Sequence, residues 1–172
     1  MAHRRLLRLL PALLAGLPLA TQGTQEYIAK VNLMEKITAY VDWPGTAADR
    51  PVVLVVVGRT PFGDELENHF QGKQLKGREV RIRYSRGPED IGECDLLFVC
   101  TSEKDRMGPI LAKVRGRPTL TMGDTAGFAA SGVMINLVRE GNRLAFEVNI
   151  TKAKESGLRM AAGFLKLSKV VE

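Results

Sequence analysis

Apolar residues recur along this chain with changing period, and each period predicts a different element. Over residues 25–41, Tyr27, Val31, Met34 and Val41 fall on one stripe, widened by Leu33, Ile37 and Tyr40. The period is helical, and the width suits a helix packed on a sheet. Trp43-Pro44 ends it, because proline disfavours helical backbone in the residue before it. Val52 to Val57 is an unbroken apolar run, as expected of a strand covered on both faces in a parallel sheet. Thr60-Pro61 then supplies a cap and a first-turn proline, predicting a helix to about Phe70. Residues 79–85 alternate Val80, Ile82 and Tyr84 with Glu79, Arg81, Arg83 and Ser85, the pattern of a half-exposed edge strand.

Asp95 to Cys100 predicts another buried strand, Lys104 to Val114 a helix, and Thr119 to Met122 a short buried strand. Val133–Val138 and Arg143–Val148 flank Arg139-Glu140-Gly141-Asn142, an antiparallel hairpin with a glycine-containing loop. A last helix is predicted from Thr151 to about Val170, with a kink at Ser156-Gly157. Its stripe is Leu158, Ala161, Ala162, Leu165 and Lys169, with Phe164 and Leu167 beside it. Helices alternating with strands, plus a hairpin, predict a three-layer α/β/α sandwich on a mixed, mostly parallel sheet with a C-terminal antiparallel hairpin.

The N-terminus changes the picture. Arg4 and Arg5 precede an apolar stretch from Leu6 to Ala20, and small residues follow. This is the layout of a secretory signal peptide over residues 1–23, cleaved after Ala20 or Gly23. The apolar stretch is about fifteen residues, short of the roughly twenty that cross a bilayer. Arg8, Pro11 and Pro18 interrupt it, and no cysteine lies near for lipid attachment. Residues 24–172 then form a single exported, soluble, unlipidated domain, large enough to bury most of its apolar surface.

Removing the leader takes away Arg4, Arg5 and Arg8, half of the formal charge of +6. A strong nucleic-acid footprint needs a dense, clustered positive field, so no nucleic acid is expected as a partner. It also removes His3, leaving His69 as the one histidine of the mature chain. His69 lies in Glu65-Leu66-Glu67-Asn68-His69-Phe70, on the polar side of a charged helix, where a solvated side chain is expected. A Ser-His-Asp or Cys-His device would depend on it. No ligand spacing for a metal is present. Gly58-Arg59-Thr60-Pro61-Phe62-Gly63 resembles a phosphate loop in its position, but Asp64 and Glu65 stand where lysine and serine or threonine are required. It reads as a structural turn and cap.

Cys94 and Cys100 bracket a predicted strand, which separates them by roughly 20 Å at the extended rise. A disulfide needs Cα atoms within about 7 Å, so two free, mostly buried thiols are expected. No catalytic, cofactor-binding or metal-binding residues are assigned. The segment Gly72–Gly87 concentrates Lys73, Lys76, Arg78, Arg81, Arg83 and Arg86 against Glu79. It reads either as an edge strand guarded by charge or as a docking surface for an acidic partner.

The order of features resembles the YfiR-like periplasmic proteins. Tyr27, Ala29-Lys30, Trp43 and Pro44 match the family's first helix and its end. The Val-rich strand to Gly58, Pro61-Phe62-Gly63 and Cys94-Asp95-Leu96-Leu97-Phe98 match its middle. Leu120-Thr121, Gly127-Phe128, Met134-Ile135-Asn136-Leu137, Phe146-Glu147-Val148-Asn149 and Gly157-Leu158 match its C-terminal half. Ser131-Gly132 departs from a glycine pair common in the family. The resemblance implies a non-enzymatic periplasmic regulatory protein that binds and inhibits the periplasmic sensory domain of a membrane-bound diguanylate cyclase. It also implies an outer-membrane lipoprotein as a second partner; a homodimer stays open. Trp43, Phe128, Ile135 and Phe146 are expected in the core, and Asn136 and Asn149 at turns, caps or buried hydrogen bonds. The alternative is a periplasmic small-molecule sensor with its pocket at the C-terminal ends of the parallel strands.

Overall fold

The computed structural model of the protein describes residues 19–45, 49–141 and 143–171. Most of the expected leader (residues 1–18) lies outside the described residues. Both expected cleavage points fall within the first helix, α1, which spans Leu19–Thr38. No helix among the described residues is long and apolar enough to cross a membrane.

The main sheet has eight strands: β2 (Val52–Val57), β3 (Gln74–Leu75), β4 (Arg78–Ser85), β5 (Leu96–Val99), β6 (Leu120–Gly123), β7 (Ile135–Glu140), β8 (Arg143–Asn149) and β10 (Lys169–Val171). Their spatial order is β10-β8-β7-β6-β5-β2-β4-β3. The centre, β4-β2-β5-β6-β7, is parallel. β7 and β8 form the antiparallel hairpin, with Glu140 opposite Arg143. A separate two-stranded antiparallel sheet joins β1 (Val41–Asp42) to β9 (Arg159–Met160).

The unbroken apolar runs are explained by two cores, one on each sheet face. Along β2, Val52, Leu54 and Val56 enter one core, and Val55 and Val57 enter the other. Along β5, Leu96 and Phe98 face the first core, and Leu97 and Val99 the second. Val31, Met34 and Ile37 of α1 cover the first face, with Leu66 and Phe70 of α2 (Glu65–Phe70). Met107, Ile110 and Val114 of α3 (Met107–Val114) cover the second, with Phe128 and Val133. This is the expected three-layer arrangement. Phe128 and Ile135 are buried as predicted; Trp43 and Phe146 pack against the core while half-buried.

The C-terminal helix expected over 151–170 is not formed. It is replaced by α4 (Ile150–Glu155), β9, α5 (Ala162–Leu165) and β10. Gly157 does more than kink the chain: at φ 74° it ends α4. Leu158 N donates to Ala153 O and Gly157 N to Lys154 O, the paired bonds of a Schellman cap. Beyond it, Ala161 N donates to Tyr40 O, docking this segment on the end of α1. Phe164 stacks between Tyr40 and Phe146.

The helix expected from Thr60 is also shorter. Residues 60–64 form a turn, with Thr60 Oγ1 accepting from Phe62 N at 3.2 Å and Gly63 at φ 55°. The turn drives Phe62 into the core, edge-on to Tyr27 and Phe98. In place of a helix from Lys104, a 3-10 segment over Thr101–Arg106 leads into α3.

Candidate functional site

The six basic residues singled out in the sequence lie in three places. Lys73, Lys76 and Arg78 lie towards the end of α1 and the start of the sheet. Lys73 Nζ is 3.5 Å from Glu35 Oε2, and Lys76 Nζ is 3.0 Å from Asp42 Oδ1 and over the Trp43 ring. Arg78, with its side chain 9% exposed, is 3.9 Å from Asp95 Oδ1. Strand alternation sends Arg81 and Arg83 to the opposite face, where Arg83 donates to Ile91 O and Glu93 O. Arg86 stands beyond the C-terminal end of β4. A run that is continuous in sequence is therefore divided between faces and ends.

His69 departs from the expected solvated position. Its side chain is 12% exposed, and Nε2 is 2.6 Å from Glu35 Oε2. The polar side of α2 meets α1, which brings a glutamate over it. Burial raises the Glu35 pKa, but the His69 hydrogen bond and the Lys73 charge outweigh it and leave the carboxyl below its usual value. The cysteines are free: Cys94 is half-buried and Cys100 buried. Burial pushes their thiols up to about 11 and about 12, which suppresses the nucleophilic thiolate. Asp95 closes the N-terminal end of the sheet, receiving Arg50 at 2.6 and 2.9 Å and Val53 N at 2.9 Å.

A charged cluster joins α1 to the C-terminal ends of the strands. Lys30, 4% exposed, places Nζ 2.8 Å from Asp124 Oδ2, 2.7 Å from Glu26 Oε1 and 4.4 Å from the Tyr27 ring centroid. Burial lowers the Lys30 pKa, and the hydrogen bonds to Asp124 and Glu26 more than reverse that. Nearby, the fully buried Asn136 donates to Thr125 O and Glu147 Oε2. Asn149 caps α4 by accepting from Lys152 N and donates to Ala129 O. Both asparagines thus do what their sequence positions predict.

A cavity of ≈ 320 Å³ opens at the C-terminal end of β2, lined by Gly58, Arg59, Arg86, Ser102, Glu103 and Arg106. Since β4 and β5 flank β2 on opposite sides, this is the point where chain order reverses, the usual ligand position in open α/β sheets. Glu103 is buried, accepts from Ser102 Oγ and pairs with Arg106 at 2.6 Å. Ser102 Oγ in turn accepts from Arg59 N. Gly58 has φ 99°, and a Cβ there would lie 2.5 Å from Ser102 Oγ. Arg59, Arg86 and Arg106 line the same cavity as Glu103, a composition that can hold a small polar or anionic molecule. Among the described residues no three His, Cys, Asp or Glu side chains are grouped to hold a metal ion. Arg59, Glu103 and Arg106 were not legible as neighbours in the sequence, because only the strand order brings 58–59 beside 102–106. Lys30 did leave a signal, as a cation among Tyr27, Val31 and Met34 on an apolar helix face.

Two solved structures share this fold. The first is the ABC domain in complex with L-Trp from Streptococcus pneumonia, with a TM-score of 0.57 and 11% identity over 84% of this chain. The second is a conserved domain protein from Vibrio cholerae, with a TM-score of 0.57 and 10% identity over 85% of this chain. The chain spans 60% of the length of each, and at these identities the likeness is one of fold. The YfiR/HmsC-like family model matches residues 27–169, from α1 to the first residue of β10. The chain belongs to the YfiR/HmsC-like family.

Proposed function

We propose that this chain is a non-enzymatic periplasmic regulator that binds and inhibits the periplasmic sensory domain of an inner-membrane diguanylate cyclase. The family match over residues 27–169 carries this reading, since the family's setting is regulation of cyclic di-GMP from the periplasm. One feature supports it. Both thiols are held protonated by burial, so neither is poised as a nucleophile. An outer-membrane lipoprotein that sequesters the chain would release the cyclase. Deleting the gene is expected to raise cellular cyclic di-GMP, with restoration by the wild-type gene. An unchanged level in a strain that retains its periplasm-sensing cyclases would overturn the proposal.

A second reading, a small-molecule sensor, is favoured by the ≈ 320 Å³ cavity at the end of β2. A ligand that binds only the folded chain raises its melting temperature. Thermal shifts by small anions or zwitterions, lost in Arg59→Ala, would support this reading. A panel without any shift would remove it.

A further inference from the structure

One edge of the main sheet is open where it matters for recognition. β2 pairs with β4 along Val80–Ser85. On the other side, among the described residues, β3 covers Arg78 and Glu79 alone. Gly58 N donates to Ser85 O, so in the two-residue alternation of a strand Ser85, Arg83 and Arg81 direct their peptide groups at β2. The peptide groups of Val80, Ile82 and Tyr84 therefore point outward, a template of three donors and three acceptors. Beside this edge runs a groove of ≈ 540 Å³, lined by the apolar Phe70, Val80 and Ile82 and by the charged Glu67, Lys73 and Glu79. Tyr84 extends the apolar row and is 47% exposed, its hydroxyl donating to Glu67 Oε1 at 2.6 Å. Arg81 and Arg83 stand on the opposite face of the same strand, both exposed.

We propose that Val80–Tyr84 docks an extended acidic segment of a partner protein by strand addition, with apolar side chains in the α2–β4 groove and carboxylates against Arg81 and Arg83. This rests on the reading above that the chain acts by binding a protein. Charge decides the occupant. A second copy paired antiparallel over Val80–Tyr84 sets Arg81 of each chain opposite Arg83 of the other, and like charges directly opposite oppose pairing. A strand with Glu or Asp at every second position reverses the sign of both contacts. Main-chain bonds then supply affinity, and alternate side chains supply specificity. The basic residues that guard the edge against self-association select the partner by the same charge.

The test uses the 15N-labelled mature chain and an eight-residue peptide of alternating Glu and Val. The expected result is saturable shifts and at least tenfold slower amide exchange at Val80, Ile82 and Tyr84. The alternating Lys and Val peptide should not bind. Methylating all of the peptide's backbone amides, half of which face the edge whichever way the strand runs, should abolish binding while leaving charge unchanged. Arg81→Glu, with an unchanged melting temperature, should weaken binding at least tenfold. Absence of binding, or equal binding by the methylated peptide, overturns the proposal. So does edge protection without peptide that rises with protein concentration, which identifies a second copy as occupant. The peptide assay contains no cyclase, so its failure removes the docking mode and leaves the gene-deletion result standing, and the converse holds.

Discussion

Replacing Lys30 by methionine isolates the cluster that fastens α1 to the sheet. Methionine keeps most of the buried stem and removes the ammonium. Asp124, with its side chain 2% exposed, then loses the cation at 2.8 Å, while its Oδ1 atom has no hydrogen-bond partner among the described residues. Glu26 is 29% exposed and retains Arg139 at 3.3 Å, so its share is at most about 1 kcal/mol. Removing one member of a buried ion pair costs about 3–5 kcal/mol, which is the expected loss. For a domain of this size each kcal/mol moves the melting temperature by about 2–4 °C, giving a fall of roughly 6–20 °C. Urea unfolding of Lys30→Met, Asp124→Leu and the double variant measures the pair through a double-mutant cycle. The double variant should recover much of the loss, because no buried charge is left alone. A Lys30→Met cost below about 1 kcal/mol would refute the buried-pair reasoning. The pH dependence gives a second check. With its folded pKa raised, Lys30 contributes fully below its unfolded value near about 10.4. That contribution is lost as pH rises through the folded value.

Three further outcomes follow from local geometry. Gly58→Ala forces a Cβ to 2.5–2.7 Å from Ser102 and Glu103 at a positive φ. It should cost more than about 1 kcal/mol in thermal or urea unfolding, and wild-type stability would contradict the packing of that turn. Asn149→Ala removes the α4 cap and one of two donors to Ala129 O, which keeps Gly132 N. A loss of about 0.5–2 kcal/mol is expected in urea unfolding, and a change within experimental error would count against the cap. A thiol reagent at pH 7 should label Cys94 and Cys100 slowly in the native chain and both rapidly in denaturant without reductant. No labelling in denaturant would mean that the thiols are joined.

The strands were legible because double-sided burial leaves a continuous apolar signature at Val52–Val57 and Leu96–Val99, and the alternation at 79–85 marks a half-covered strand. The C-terminal segment misled for a physical reason. Leu158, Ala161, Ala162 and Leu165 keep a helical period, but Gly157 in the left-handed region reverses the chain. Tertiary pairing with Val41–Asp42 and β8 then takes up the backbone groups. His69 was placed in solvent because the helix it lies on shows its polar side there; that α1 crosses it is information only the fold contains. The same holds for the cavity at β2 and for the division of the basic run. Which residues become neighbours depends on strand order, and charge along the chain does not encode it. The family resemblance was legible throughout, since it rests on the order of short motifs.

The most direct test of the regulatory role is reconstitution with purified components. A membrane-bound diguanylate cyclase of the same cell, identified by loss of the gene-deletion phenotype, is placed in nanodiscs with its periplasmic domain accessible. Cyclic di-GMP synthesis is then followed as the mature chain is added. The account predicts saturable inhibition at one chain per sensory domain, absent from a cyclase lacking that domain. Undiminished synthesis at a saturating, folded concentration of the chain would contradict it.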